Sequence, residues 1–541
     1  MTLRQRGSIR PASCSRRLRQ LMGSAAQMPD AGPPSNGDVL RSTAKGAGWI
    51  LAWRGAKRML GLINTLILAR LLIPADFGLV AIGAALSGAL GSLTSIGVEE
   101  ALIREARSDN MLYDTGFTLN LVRAAIMATV LATVALPAAH FYHDERLANV
   151  VYVLAFCTLA AGITNIGTVD FMRHLDFGKE FVLLSIPRLV ALVVTISVAL
   201  VTQSYYALLA GIVVSRVLTV ALSYTMHPYR PRITFKEWRS LAKFSIWTWI
   251  NGIILTVRDQ SSTFLIGHAL GESSVGAYSV GIDLATLPTN ELLSPFVRAG
   301  FPAFAAIRRN EGDAARAFLR MFGLAMFLTV PAAIGISAIS DPMERLLLGP
   351  KWLAVIPIMQ IFAVLTALTA AGAVSEVLLS AYGRLERMFG MYVFSAVLRL
   401  LALVLLVPKF GLLGAVWAIG AVGALECLFW VGIVARTFTL SPWTVVGRAA
   451  RPLIAVGCMA ALLYVTGLGW HTVHGGLFRL IGDLLLSAAA GAFFYLAVQF
   501  GIWAIIGRPA GAEADFLQVL GGAYCRWLRW QRLHLGLGQR T

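Results

Sequence analysis

The sequence is poor in charged residues and in cysteine, and both shortages exclude classes of protein. Only 14% of its 541 residues are charged, whereas 57% are hydrophobic, a balance that no soluble domain of this length carries. The five cysteines are scattered, with no CxxC motif and no Cys/His cluster, so neither a disulfide framework nor a metal site is predicted. We therefore interpret the chain as a polytopic membrane protein.

Acidic residues are scarce as well. The chain has 28 Asp and Glu against 46 Lys and Arg, which gives a formal net charge of +18. The basic residues occur in short connections between apolar runs and are not gathered on one polar domain. This pattern is typical of the cytoplasmic loops of membrane proteins and argues against a nucleic-acid partner.

Long polar connections are also missing, since none between the apolar runs exceeds about 20 residues. Connections this short leave no room for a soluble catalytic domain. We therefore expect neither enzyme activity nor catalytic residues. The apolar runs are long enough to cross a membrane, and they predict an all-α fold of about 14 transmembrane helices, here called spans 1 to 14. Their approximate limits are 46–71, 76–98, 116–139, 147–169, 180–202, 205–226, 241–269, 276–303, 315–339, 354–382, 388–407, 411–435, 450–468 and 477–506.

The distribution of Lys and Arg predicts how the spans are oriented. If span 1 enters from the cytoplasm, most basic connections fall inside, and the basic residues left outside are Arg146, Arg345, Lys351, Lys409 and Arg479. This asymmetry predicts that both termini are cytoplasmic. Residues 1–45 are expected to form a disordered basic tail, and residues 508–541 a second basic cytoplasmic tail.

An internal repeat relates positions 198 residues apart. The offset covers six helices and keeps their orientation, so the repeats are parallel. They predict two six-helix bundles, at 46–227 and 240–435, around a central cavity in which spans 1 and 2 face spans 7 and 8. Spans 13 and 14, at 450–507, lie outside the repeat. The matched positions are Ser42, Lys45, Leu68, Gly78 and Gly83 with Ser240, Lys243, Ile266, Gly276 and Gly281.

Span 1 carries three cations at a depth where lipid is expected. Its apolar run before residue 74 is only about 15 residues long, so a helix that crosses must begin near residue 46. Arg54, Lys57 and Arg58 then lie within the span on one helix face. To place a basic group at that depth in lipid costs a few kcal/mol, which favours a water-filled cavity or a bound anion next to these residues. The alternative is that all three reach the cytoplasmic headgroups.

Spans 7 and 8 contain further charges. Span 7 has Arg258 and Asp259 near its middle, and span 8 combines two prolines with the polar residues Asp283, Asn290, Glu291 and Arg298. Proline frees backbone carbonyls, which a membrane tolerates where water or neighbouring groups satisfy them. Span 8 is therefore either a hinged helix that lines a cavity or an ordinary kinked helix with its own ion pairs.

The sign of these charges predicts the kind of ligand. A transporter of cations needs carboxylates on its first helix, whereas span 1 offers three cations and no acid, so the cavity suits an anion. The predicted substrate-binding residues are Arg54, Lys57, Arg58, Arg258, Arg298 and Asn290. Four acids remain to balance charge or carry protons, namely Asp259, Asp283, Glu291 and Glu376. No cofactor is predicted, and coupling to a proton or a sodium ion stays open.

Several stretches between about residues 42 and 435 resemble a known family. They are ARLLIPADFGLVA, PRITFKEWRSLAKFS, VRDQSSTFLIGHALG followed by YSVGIDLATLP, LLLGPKWLAVIPIMQIF and LLSAYGRLERMF. The sequence is similar to the Wzx-type oligosaccharide flippases, in the lipopolysaccharide and exopolysaccharide biosynthesis branch of the multidrug/oligosaccharidyl-lipid/polysaccharide exporter superfamily.

The resemblance implies a flippase of the bacterial inner membrane. Such a protein moves undecaprenyl-diphosphate-linked oligosaccharide repeat units by alternating access, for exopolysaccharide or O-antigen-type polysaccharide biosynthesis. Its expected partners are that lipid-linked oligosaccharide, membrane lipids, and a periplasmic polymerase with its co-polymerase. Three alternatives stay open: a multidrug exporter of the same superfamily, a membrane polysaccharide polymerase or glycosyltransferase, and a peptidoglycan-precursor flippase.

Overall fold

A computed structural model describes residues 60–94, 102, 110–173, 176–238, 246–307, 311–472, 476–509 and 511–518. Within these ranges the chain is α-helical and has no β-strand, so the predicted all-α fold is confirmed. Arg54, Lys57 and Arg58 lie outside the described residues, as do the tail at 1–45 and residues 519–541.

The helices are labelled α1 to α15 in chain order, and a short helix at 512–518 follows them. Their bounds are α1 Leu60–Leu71, α2 Pro74–Leu93, α3 Asn110–Tyr142, α4 Arg146–Gly162, α5 Val169–Arg173, α6 Phe177–Thr202, α7 Tyr206–Met226, α8 Ile246–Leu270, α9 Glu272–Ala306, α10 Glu311–Ala338, α11 Ser340–Leu347, α12 Val355–Ala381, α13 Leu385–Thr437, α14 Pro442–Val465 and α15 Leu477–Ile505.

Nine helices in the described part of the chain are long and apolar enough to cross a membrane: α2, α3, α6, α7, α10, α12, α13, α14 and α15. The protein is therefore a multi-pass membrane protein. Helices α8 and α9 have 25 and 35 residues and are long enough to cross, but they are not among the nine because of their polar residues. The number of 14 spans stays a prediction.

Spans 11 and 12 both lie within α13, which consists of two helices separated by a kink at Gly411. The backbone there has φ 57° and ψ −138°, a combination that disfavours any residue with a Cβ. Gly411 therefore accommodates the kink between the two spans.

Span 4 differs from its prediction as one helix over 147–169. Helix α4 ends at Gly162, and the following segment, Ile166–Arg173, is bent away by 69°. The side chain of Asn165 accepts a hydrogen bond of 2.9 Å from the backbone N–H of Gly167, which starts a new 3-10 turn. Side-chain capping of this kind competes with helix continuation, and an apolar run does not reveal it.

The two predicted halves pack together through α2. This helix lies against both α8 and α9, while α9 also packs on α10 and α12. One apolar core joins both halves, from Ala69 through Leu131 to Ile358 and Ile419. The first residues of α2 and α9, at 74 and 272, meet at one end of the molecule, which the predicted orientation places outside the cytoplasm. We call it the outer end.

Part of the predicted C-terminal tail is folded. In the short helix at 512–518, the ring of Phe516 lies 5.2 Å from that of Phe327 on α10. The buried carboxylate of Glu513 accepts a hydrogen bond of 2.8 Å from Gln499 and lies 3.0 Å from Arg451. This segment therefore joins α10, α14 and α15.

Candidate functional site

A cluster of charged side chains lies between α8 and the two parts of α13 before and after Gly411. The Arg258 Nε donates a hydrogen bond of 2.9 Å to Asp259 Oδ1, and Arg399 Nη1 lies 3.5 Å from the same oxygen. Arg258 Nη1 also faces Glu426 Oε2 at 3.6 Å. These four residues, here called the mid-membrane cluster, come from segments far apart in sequence, and their opposite charges offset part of the cost of burial.

The members of the mid-membrane cluster differ in their exposure. The side chain of Asp259 is 53% exposed, whereas those of Arg399 and Glu426 are both 12% exposed. Glu426 Oε1 and Arg399 Nε are buried and have no hydrogen-bond partner among the described residues. Next to the cluster, the Tyr392 hydroxyl donates to Glu376 on α12. The cluster thus has an exposed side at Asp259 and a buried side at Glu426.

The predicted polar residues of span 8 lie on one face of α9. Asp283, Asn290, Glu291 and Arg298 are all exposed, and their spacing places them within about a quarter of the helix circumference. Arg298 also donates to the backbone carbonyl of Ser294, one turn earlier, at 3.1 Å. An exposed polar face on a helix within an apolar bundle favours contact with water or a polar ligand rather than with lipid.

The same helix borders an apolar groove between α9, α10, α14 and α15. The groove has a volume of about 370 Å³, and Pro288 of α9 lines it, only two residues before the polar Asn290. Helix α9 therefore separates a polar face from an apolar groove. The other lining residues include Phe327, Pro331, Met459, Leu463, Gly491 and Tyr495.

At the outer end, hydrogen bonds join the two halves. The Arg70 guanidinium donates to the backbone carbonyls of Arg345 and Leu347 at 3.1 and 3.2 Å, which caps the C-terminus of α11. The buried Trp352 indole donates to the Ala69 carbonyl at 2.8 Å, and Arg146 lies 3.2 Å from Glu272. These contacts hold the two halves together at this end of the molecule.

A buried acid lies beside this junction. The carboxylate of Glu344 on α11 is fully buried, and neither oxygen has a hydrogen-bond partner. Burial raises its pKa to about 7, although Arg345 and Arg70 act in the opposite direction.

Of the predicted site residues, the structure brings Arg258 and Asp259 together and places Glu376 beside them. It places Asp283, Asn290, Glu291 and Arg298 on the exposed face of α9. Sequence reasoning did not assign a role to Glu426, although a single acid in the apolar run of span 12 was a usable signal. It also missed Arg70, whose carbonyl partners lie more than 270 residues away.

Long apolar helices around a cluster of paired charges define a multi-pass membrane protein. Residues 67–357 match the polysaccharide biosynthesis protein family, which is more than half of the chain. The chain belongs to this family, and the resemblance expected from its motifs is confirmed.

Two curated relatives agree with this assignment. The succinoglycan biosynthesis transport protein ExoT of Rhizobium meliloti (strain 1021) is 26% identical over 328 residues, covering 60% of this chain and 66% of the relative, just under two thirds of its length. The lipopolysaccharide biosynthesis protein WzxC of Escherichia coli (strain K12) is 23% identical over 344 residues, covering 63% of this chain and 70% of the relative.

A solved structure shares the fold. The lipid II flippase MurJ, in an inward closed conformation, superposes with a TM-score of 0.68 and covers 84% of this chain and 98% of its own, at 11% sequence identity. At this level of identity the likeness concerns the fold alone.

Proposed function

We propose that the protein is a flippase for undecaprenyl-diphosphate-linked oligosaccharide repeat units. It would move them from the cytoplasmic to the periplasmic leaflet of the bacterial inner membrane, with both termini in the cytoplasm. The observation that carries the proposal is that α9, within the family match, presents a polar face and borders an apolar groove. A cargo with a hydrophilic headgroup and a hydrocarbon tail fits this combination.

The headgroup part of the proposal rests on the charges. Asp283 and Arg298, the first and last of the four polar residues on α9, are 15 positions apart, or about 22 Å at the helical rise. Hydroxyl-rich sugars form hydrogen bonds with such side chains, and the diphosphate needs cations. Arg258 and Arg298 supply two, and Arg54, Lys57 and Arg58 of span 1 would supply three more. Arginine suits this role because its planar fork binds two phosphate oxygens at once.

The tail part of the proposal rests on the groove. Its lining is almost entirely apolar, and two of the helices that line it, α14 and α15, lie outside the predicted repeat. Part of a prenyl chain can lie there while the headgroup contacts the polar face of α9.

The membrane potential supplies a driving force for this direction of transport. A charge that crosses it gains about 2.3 kcal/mol per 100 mV. A diphosphate headgroup with about two negative charges therefore gains roughly 4 to 5 kcal/mol per 100 mV on leaving a negative interior. Delivery to a periplasmic polymerase and its co-polymerase would follow.

The proposal can be tested in vesicles that contain the purified protein. The probe is undecaprenyl diphosphate carrying a short oligosaccharide with a fluorescent label, and a membrane-impermeant reductant bleaches only label in the outer leaflet. Without flipping, about half of the fluorescence is protected, whereas an active flippase exposes nearly all of it. A labelled phosphatidylethanolamine serves as the control lipid and should stay protected. Protection of the diphosphate probe that equals the control would contradict the proposal, and extrusion of cationic dyes would favour a multidrug exporter.

A further inference from the structure

Glu426 is the least satisfied acid of the mid-membrane cluster. Its Oε1 is buried without a hydrogen-bond partner, and its Oε2 has Arg258 at 3.6 Å, a distance that is long for a hydrogen bond. A buried carboxylate keeps its charge only when a counter-charge is close. The ionised state of Glu426 therefore depends on Arg258.

Arg258 is shared between two acids that differ in their surroundings. It donates to Asp259 at 2.9 Å, and Asp259 also has Arg399 at 3.5 Å and a side chain that is 53% exposed. If Arg258 turns away, Asp259 keeps Arg399 and its exposed position, whereas Glu426 loses the cation that faces it. Glu376 keeps the hydrogen bond from Tyr392.

The other groups around Glu426 act in both directions. Arg399 favours its ionised form, whereas Asp259 and Glu376 disfavour it by repulsion. The hydroxyls of Tyr392 and Tyr278 and the buried thiol of Cys427 are further titratable groups of the described helices near the cluster. Without Arg258, one cation would remain for three carboxylates, and a proton on Glu426 would relieve the excess.

We infer that Glu426 couples proton uptake to cargo binding, an inference that rests on the proposed function. When the phosphates of the cargo bind Arg258, Glu426 loses its counter-charge, and one of its carboxylate oxygens takes up one proton from the bulk solution. When the cargo leaves, Arg258 returns to Glu426 and the proton is released. One proton is thus bound for each cargo bound, and no covalent bond of the cargo changes.

The test measures protons rather than transport. Undecaprenyl diphosphate is titrated into the purified protein by calorimetry at neutral pH, in buffers of different ionisation enthalpy, which gives the number of protons taken up. The wild type should take up a substantial fraction of one proton, with affinity that changes by up to about tenfold per pH unit. In Glu426→Gln, which mimics the protonated acid, both effects should vanish while binding persists.

Two further variants make the result specific. Asp483→Asn removes an acid from α15, whose side chain pairs with Arg479 away from the cluster, and should leave proton uptake at the wild-type value. Glu426→Asp keeps a titratable group and should retain uptake, and it replaces the Gln variant if that one does not fold. Equal proton uptake by the wild type and Glu426→Gln would overturn the inference and leave the flippase proposal intact. A wild type that neither binds the probe nor flips it would overturn both.

Discussion

Gly78 of α2 and Gly276 of α9 lie against each other, and the space that a side chain at either position would need is occupied by the backbone of the other helix. A Cβ on Gly78 would lie 1.7 Å from the backbone oxygen of Glu272, and a Cβ on Gly276 would lie 1.8 Å from that of Pro74. The two glycines are 198 residues apart, and so are Pro74 and Glu272. The contact is therefore reciprocal, as expected where two repeats meet at a pseudo-two-fold axis, which supports the proposed bundles at 46–227 and 240–435.

Substitution of either glycine should separate α2 from α9. We expect Gly78→Ala and Gly276→Ala each to destabilise the protein by about 1–3 kcal/mol, because the clash is with backbone that cannot turn aside. Thermal unfolding in detergent measures the effect. Gly88→Ala on the same helix is the control, since its Cβ would meet only the end of Gln260 at 3.7 Å. Equal midpoints for Gly78→Ala and Gly88→Ala would refute the close contact.

Loss of the Arg70 cap should loosen the outer end. Arg70→Gln removes charge-assisted hydrogen bonds to α11 and should lower the free energy of local unfolding by about 1.5 kcal/mol. A change of this size corresponds to roughly tenfold faster exchange of backbone amide hydrogens. Hydrogen–deuterium exchange of peptides covering 340–352 should show it. Lys351→Gln is the control, because its contact with the Leu71 carbonyl is long, at 3.5 Å. Unchanged exchange in Arg70→Gln would show that the cap contributes nothing.

Removal of two cations from span 1 tests the proposed phosphate site. Each lost hydrogen bond to a charged group costs about 1.5–3 kcal/mol, so Arg54→Gln combined with Arg58→Gln should slow flipping of the diphosphate probe by at least about tenfold. Arg479→Gln, whose side chain is 71% exposed at the start of α15, is the matched control. Wild-type flipping by a well-folded double variant would speak strongly against the site.

The stability of the protein should fall as the pH rises through the range in which Glu344 loses its proton. Its pKa is raised from 4.5 to about 7 in the folded protein, so the folded state binds this proton more tightly than the unfolded chain does. The stabilisation is complete below the unfolded value and is lost as the pH rises through the folded value. Thermal midpoints measured across this range should decline for the wild type.

Glu344→Gln should flatten that decline, because the amide stays neutral at every pH. The variant should therefore be more stable than the wild type above about pH 7. Glu145→Gln, at an exposed position of the outer end, should follow the wild-type profile. A wild-type profile in Glu344→Gln would assign the pH dependence to other groups.

The sequence predicted the helices well because each apolar run is a local property. The observed bounds of α8 and α15 agree with the predicted 241–269 and 477–506 within the described residues. The break at Gly162 escaped because it depends on one side chain, that of Asn165, which caps a turn. The charged residues of spans 7 and 8 were also evident from the sequence, because a charge inside a bilayer costs free energy and is therefore rare in an apolar segment.

By itself the amino-acid order determined which segments are long and apolar enough to cross a bilayer, and which charges lie within them. Only the tertiary structure decided that Arg258 faces Glu426, that Arg70 caps α11, and that Gly78 meets Gly276. Crossing a bilayer depends on the composition of one segment, whereas these pairings depend on how the side chains of distant helices fit together. The composition of a segment is visible in the sequence, whereas the complementarity of two packed helix surfaces is visible only in the folded structure.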